Sequence, residues 1–271
     1  MGKTILLTGA TDGIGLETAK ILLAQGHNVL LHGRSNDKLA KVAEQLAPIN
    51  PDIELETYVA DLSQMADVKA LAESVSSRHD SLDVLINNAG IYVTQNQVSI
   101  DGFDVRFAVN TIAPYLLTKL LLAIMPSDGR VVNLSSAAQA SYDINSLSSP
   151  SPLSDSAVYA HSKLAITMWS HELAKTLGPK APLIIAVNPA SMLGSKMVKQ
   201  AYGVSGGDLS IGADILVSAA LSEKFADASG KYFDNDVGQF RAPHPDAMDA
   251  NKTKQLVEAI ENILSGLASI N

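Results

Sequence analysis

Residues 159–163 read Y-A-H-S-K, a tyrosine with a lysine four positions further on. On a helix that spacing brings both side chains onto nearly one face, with Cβ atoms about 5–6 Å apart. An ammonium beside a phenol favours the phenolate, so such a pair can hand a proton to a reacting oxygen and take it back. A free tyrosine titrates near about 10, and bringing it to about 7 takes roughly 4 kcal/mol. One solvated lysine does not supply that, whereas a partly dry pocket with further positive charge does. The chain has seven tyrosines, and residues 115–119, Y-L-L-T-K, repeat the spacing. Context separates the two pairs. Tyr115 follows Pro114 inside the apolar run P-Y-L-L-T-K-L-L-L, which suits packing. Tyr159 opens a helix shortly after R-V-V-N-L-S-S, residues 130–136. Ser136 stands at the carboxyl end of that strand, where ligands lie in a doubly wound sheet and where its hydroxyl can bond a carbonyl oxygen.

The elements that must position these groups follow from apolar patterning. Residues 4–7, 29–32, 53–59, 84–87, 130–134 and 183–187 read as short, mostly continuous apolar strands, as in a parallel sheet covered on both faces. Helical patterns at 14–24, 37–46, 65–77 and 158–177 alternate with them. The fold class is therefore α/β, a Rossmann-type doubly wound parallel sheet in a single domain over 1–271. Two irregular stretches, 137–156 and 191–208, are expected to form the substrate loops. A helix at 209–221, a last strand at 230–233 and an amphipathic helix at 252–264 complete the chain.

The first strand runs into T-G-A-T-D-G-I-G, residues 8–15, and then a helix. A glycine-rich strand-to-helix turn lets backbone N–H groups approach a pyrophosphate, aided by the helix dipole. Gly9, Gly13 and Gly15 do not have G-x-G-x-x-G spacing, and a tight turn packing helix on strand is the competing explanation. The second strand ends L-H-G-R-S, with Arg34 and no carboxylate at its tip. An arginine there suits a ribose 2′-phosphate, where an acid would hold a 2′-hydroxyl. The expected cofactor is thus NADP(H) rather than NAD(H). Asp12 is a counter-signal, and a merely solvated Arg34 is the bland alternative.

With these residues in view, the chain resembles the short-chain dehydrogenase/reductase (SDR) family. The matching stretches are 8–15, D-L at 61–62, N-N-A-G at 87–90, Asn110 in F-A-V-N, S-S at 135–136, Y-A-H-S-K at 159–163 and N-P-A-S at 188–191. The segment F-A-V-N-T-I-A-P-Y-L-L-T-K-L-L-L and the long gap from Ser136 to Tyr159 look most like the retinol-dehydrogenase-like branch. The resemblance implies an oxidoreductase interconverting a carbonyl compound and an alcohol by hydride transfer. Tyr159 would be general acid and base, Lys163 would bind the nicotinamide ribose and lower the Tyr159 pKa, and Ser136 would orient the substrate oxygen. Gly9, Thr11, Asp12, Gly13, Ile14 and Gly15 would cradle the cofactor, with Asp61 and Leu62 at its adenine and Asn88, Ala89 and Gly90 along the cleft. Tyr159, Lys163, Pro189 and Ser191 would complete that lining. Pro114 has no N–H for the Asn110 carbonyl, which would be left to hold a water of the proton relay; a plain helix kink is the alternative.

The chain departs from the family at Pro189-Ala190, where P-G is usual, and at Gly194, where a threonine is expected; Ser191 or Ser195 would have to substitute. A net charge of −8 argues against nucleic acid or anionic membrane as main partner. The six histidines, at 27, 32, 79, 161, 171 and 244, lack ligand spacing, so no metal is expected. No cysteine is present and no early apolar run is long enough for a span or a signal core, which favours the cytoplasm. The expected partner is a small carbonyl or alcohol substrate, and the resemblance implies a homodimer or homotetramer. Two other readings compete: an NADP(H)-binding regulatory protein without turnover, and a sugar-nucleotide epimerase using the same Tyr-Lys pair. Retention of Ser136, Tyr159 and Lys163 weighs against the first, and the short C-terminal region against the second.

Overall fold

A computed structural model describes residues 2–147 and 152–268. Among the described residues eight strands form one sheet: β1 (Thr4–Leu7), β2 (Asn28–Gly33), β3 (Glu56–Val59), β4 (Val84–Asn87), β5 (Arg130–Leu134), β6 (Leu183–Asn188), β7 (Tyr232–Asp234) and β8 (Gln239–Arg241). Their order is β3-β2-β1-β4-β5-β6-β7-β8, with only β8 antiparallel to its neighbour. The chain reverses its winding direction between β1 and β4, and the crevice for a ligand opens at the carboxyl ends beside that point.

Period-two alternation divides the core. Leu6, Leu85, Val131 and Ile184 point to one face, beneath α3 (Met65–Arg78), α5 (Ala113–Leu121), α6 (Asp155–Leu177) and α9 (Ala250–Ala268). Ile5, Leu7, Ile86, Val132 and Ile185 point to the other, beneath α1 (Gly13–Ala24), α2 (Asn36–Leu46) and α8 (Leu209–Leu221). Strands β4, β5 and β6 are buried almost throughout, which is why they read as continuous apolar runs. On the first face, α9 lays Leu256, Ile260 and Leu264 into the core. It is tied down where Thr253 Oγ1 donates to Glu172 Oε2 of α6 (2.9 Å) and where Glu261 receives Tyr115 and Lys119 of α5.

Several boundaries differ from the sequence expectation for local reasons. β3 starts at Glu56 because a turn closes from Ile53 N–H to the Asn50 carbonyl. α6 begins at Asp155, three residues early, because Ser154 caps it by accepting from Ala157 N–H. The expected loop at 137–156 is shortened accordingly, and its residues 148–151 lie outside the described set. The stretch 191–208 contains a helix that was not expected, α7 (Lys196–Tyr202). β8 was also missed: it is a three-residue strand returning from β7 through Gly238, at φ +69°.

Pro114 is accommodated by a widened turn. A short helix α4 (Val105–Phe107) passes into a π-helical segment, Ala108–Ile112, in which Ala113 N–H bonds the Ala108 carbonyl. From Val105 to Ile124 the chain is apolar enough and long enough to cross a membrane, but 72% of its most apolar window is buried within the domain.

Candidate active site

A cleft of about 580 Å³ lies at the carboxyl ends of the strands, within the range that holds a small-molecule ligand. Every residue expected from the sequence lines it except Asn110: the glycine loop from Gly9 to Gly15, Arg34, Asp61, Leu62, Asn88–Gly90, Ser136, Tyr159, Lys163, Pro189 and Ser191.

The glycine loop is shaped by close approach. A Cβ on Gly15 would fall 2.2 Å from the Gly9 carbonyl oxygen, and one on Gly9, at φ +69°, would fall 2.9 Å from Ala89 Cα. Gly13, at φ +55°, has only Ser195 Cβ nearby, at 3.7 Å, so its open side faces the cleft. Asn88 staples the loop to β4 by donating from Nδ2 to the carbonyls of Thr8 (2.8 Å) and Gly9 (3.2 Å). His32 adds a brace from β2: its Nδ1 accepts from Gly9 N–H at 3.3 Å, leaving Nε2–H for the Ala60 carbonyl at 3.1 Å. Burial pushes His32 down to about 4, which keeps the imidazole neutral. Sequence reading passed over His32 as one scattered histidine; its place beside Gly33 at a strand end was the available signal.

Arg34 is exposed at the tip of β2 and shares the cleft wall with Lys38, a second cation not singled out before. Asp12 turns away from both. Its Oδ1 caps α1 by accepting from Gly13 N–H (2.9 Å), and its Oδ2 pairs with Lys196 of α7. Asp61 accepts from Ser63 N–H (2.9 Å) and Oγ–H (2.8 Å) through one oxygen.

At the other end, the two serines after β5 divide their work. Ser135 is buried, its hydroxyl 2.6 Å from Thr167 Oγ1 and 3.2 Å from the Lys163 carbonyl, whereas Ser136 opens to the cleft beside Tyr159. Lys163 is 3% exposed and donates from Nζ to the Leu134 carbonyl at 2.7 Å. Gly90 passes close by: a Cβ there would sit 3.6 Å from Lys163 Nζ and 3.4 Å from Asn110 Oδ1, in ordinary contact. Asn110 lies beneath the cleft floor rather than in its lining. Its side chain accepts from Ile91 N–H (2.9 Å) and donates to the Ile91 carbonyl (2.9 Å) and Ser162 Oγ (3.0 Å), joining the β4 loop to α6.

The electrostatics correct one expectation. Burial pushes Tyr159 up to about 12, against a downward pull from the Ser136 hydroxyl and with a smaller upward contribution from Tyr202. Lys163 does not lower it. Its Nζ lies 5.7 Å from the Tyr159 ring centre and gives one N–H to a carbonyl, and burial pushes the amine itself down to about 8. Desolvation outweighs the ion–phenol attraction in this cofactor-free geometry. The second pair behaves as expected for packing: Tyr115 is 1% exposed, edge-on to Trp169 at 5.5 Å, with its hydroxyl and Lys119 both on Glu261.

Three features had no forecast. Arg106, fully buried, donates to both Asp104 oxygens (2.9 and 2.7 Å) and to Asp155 in the first turn of α6, which fixes the start of the helix carrying Tyr159. Tyr92 packs against Tyr159 with ring centres 4.6 Å apart and planes tilted by 40°, and meets the Tyr202 hydroxyl at 3.2 Å. The strap after β6 is pinned, with Ser191 N–H (2.7 Å) and Oγ–H (2.6 Å) both donated to Asp236. Ser191 therefore keeps only acceptor capacity for a ligand. Gly194 cannot carry the family's threonine, because a Cβ would lie 2.7 Å from the Gly207 carbonyl oxygen; the strap folds back on itself there, Gly194 N–H to that oxygen at 2.7 Å.

Ala190 holds φ +123°, a conformation that glycine takes at no steric cost. Ala190→Gly should therefore stabilise the protein by about 1 kcal/mol, after the entropic cost of a glycine in the unfolded chain. Urea unfolding reads this as a higher midpoint at unchanged slope; a lower midpoint contradicts the strain.

Residues 3–203 match the short chain dehydrogenase family. Retinol dehydrogenase 13 of Homo sapiens is 30% identical over 278 residues, spanning 94% of this chain and 82% of that protein. Retinol dehydrogenase 12 of Mus musculus is 33% identical over 245 residues, spanning 86% and 77%. Among solved structures, an uncharacterised protein from Mycobacterium paratuberculosis superposes with a TM-score of 0.78 at 25% identity, covering 96% of this chain and 92% of that one. Landomycin C-6 ketoreductase LanV, with bound NADP and rabelomycin, superposes at 0.69 with 29% identity, covering 88% and 96%. With its glycine-cradled cleft and its serine, tyrosine and lysine at the far end, this chain belongs to the short-chain dehydrogenase/reductase family, in the retinol-dehydrogenase-like branch, and acts on CH–OH/C=O groups.

Proposed function

We propose that the chain is an NADP(H)-dependent oxidoreductase that interconverts a carbonyl compound and an alcohol, with Tyr159 as general acid and base. The observation that carries this is the meeting of Ser136, Tyr159 and Lys163 in one cleft with the glycine loop. The cofactor's fit rests on the loop: side chains at Gly9 and Gly15 would collide with backbone, while the space that a side chain at Gly13 would fill is open, leaving room for a pyrophosphate to approach the loop. The nicotinamide, when bound, supplies or accepts the hydride.

The rest falls to the chain's own residues. Tyr159, at about 12, is a protonated phenol at neutral pH and so is ready to give its proton to a carbonyl oxygen in the reductive direction. The Ser136 hydroxyl, beside it, holds that oxygen. Lys163 is placed by the Leu134 carbonyl under Gly90 and Asn110, where its remaining N–H bonds are free for a ribose. Asn110, out of the lining, serves as a positioning residue that ties the β4 loop to α6. NADPH oxidation over a panel of aldehydes and ketones, with Tyr159→Phe as control, tests the assignment; undiminished turnover by that variant refutes it.

NADP(H) is favoured because Arg34 and Lys38 face the cleft while Asp12 is occupied by Lys196. The NADP in the landomycin ketoreductase structure supports the same choice for this chain. Arg34→Ala is expected to raise the KM for NADPH about tenfold, the worth of one charge-assisted hydrogen bond, and to leave NADH nearly untouched. Equal use of the two cofactors by the parent protein contradicts the preference.

A further inference from the structure

The substrate end of the cleft has a composition of its own. Tyr92, Val93, Tyr159, Met197, Gln200 and Tyr202 line it. Of the charged residues of the lining, Asp12, Arg34, Lys38 and Asp61 belong to the cofactor end and Lys196 is paired to Asp12, while Lys163 lies 5.7 Å from the Tyr159 ring centre. Three tyrosines meet there. Tyr92 lies in tilted contact with Tyr159, and Tyr202 stands edge-on to Tyr92 with ring centres 5.7 Å apart and planes at 61°. Tyr202 is the last residue of α7, which stops there because Gly203 takes φ +71° and returns its N–H to the Lys199 carbonyl. The ring is thus set at a fixed height above the reacting group, and at 52% exposure it still has a free face. Val93, 44% exposed, extends the same wall outward.

We infer that Tyr92 and Tyr202 are specificity-determining residues, forming an aromatic clamp that selects flat, aromatic or conjugated carbonyl compounds over saturated ones of equal size. Resting on the activity proposed above, it names the substrate class of that same site. A planar ring lying against the exposed ring of Tyr202, which Tyr92 braces from behind, gains offset or edge contacts that a puckered saturated ring of the same carbon skeleton cannot make. The hydroxyl bridge between Tyr92 and Tyr202 keeps both rings in place without a charge.

Acetophenone and cyclohexyl methyl ketone, equal in skeleton, are the probes. In Tyr202→Leu the ratio of kcat/KM values, aromatic over saturated, is expected to fall about tenfold, near the upper end for loss of an aromatic pair. The change should lie in KM, with the KM for NADPH unmoved, and Tyr202→Phe should restore the ratio. Tyr92→Leu should lower the ratio as well. An unchanged ratio in both leucine variants, or a change confined to kcat for both probes alike, overturns the clamp. Saturation-transfer NMR of acetophenone with the NADP+-loaded protein separates the two proposals. If no probe is turned over but acetophenone binds, and binds about tenfold more weakly to Tyr202→Leu, the activity fails and the clamp stands. Equal binding by parent and variant, or no binding, sinks the clamp.

Discussion

The Tyr159→Phe protein is expected to reduce carbonyl substrates about a thousandfold more slowly than the parent, the usual worth of a well-placed general acid. The substitution removes one hydroxyl and leaves the ring, so the 4.6 Å ring contact with Tyr92 persists and NADPH should bind as before. The loss belongs in kcat, because the phenol's proton is transferred in the transition state rather than in binding. Stopped-flow or steady-state NADPH oxidation reads it directly. Retention of more than about a tenth of the parent rate would mean that another group supplies the proton, since acid catalysis contributes at least about a hundredfold.

Lys163→Met should lose turnover by about a hundredfold, as for removal of a preorganised donor at a reacting centre, and should also change how stability depends on pH. In the folded protein the buried amine titrates near about 8 instead of its ordinary 10.5. Between those values the unfolded chain binds the extra proton and the folded one does not, so the unfolding free energy rises with pH from about 8 upward. The full shift corresponds to about 3 kcal/mol. Tyr159 acts in the opposite sense: raised from 10 to about 12, it makes stability fall only above about pH 10. Urea titrations of the cofactor-free protein between about pH 7 and 9.5 therefore isolate the lysine. The parent should gain about 2 kcal/mol over that window relative to Lys163→Met. Parallel curves for the two proteins would show that Lys163 is not desolvated as placed here.

Much of this site could be read from one-dimensional pattern because its parts are backbone-driven. Strand ends and the glycine turn follow from apolar runs meeting Gly9, Gly13 and Gly15, and β5 delivers Ser136 by simple continuation. What could not be read depends on contacts between distant segments. Arg106 looks like an ordinary polar residue until Asp104 and Asp155 close around it in the interior. The helix α7 is too short to show a period, and it is framed by the Gly194–Gly207 contact that no local rule announces. Tyr92 and Tyr202 stand 110 residues apart and become one feature only when α7 folds over the β4 loop. The high value of the phenol in the cofactor-free site could not be read either, because proximity along a helix says nothing about which group is drier, and here both are buried.

The last helix bears on self-association. Through Leu256 and Ile260 it occupies a flank of α6, and through Glu261 it seizes two side chains of α5. That flank is thus already roofed within a single chain. A second copy seeking it would have to pry the helix off, baring a greasy strip and stranding the Glu261 carboxylate, so any assembly of copies has to be built on some other surface of the molecule.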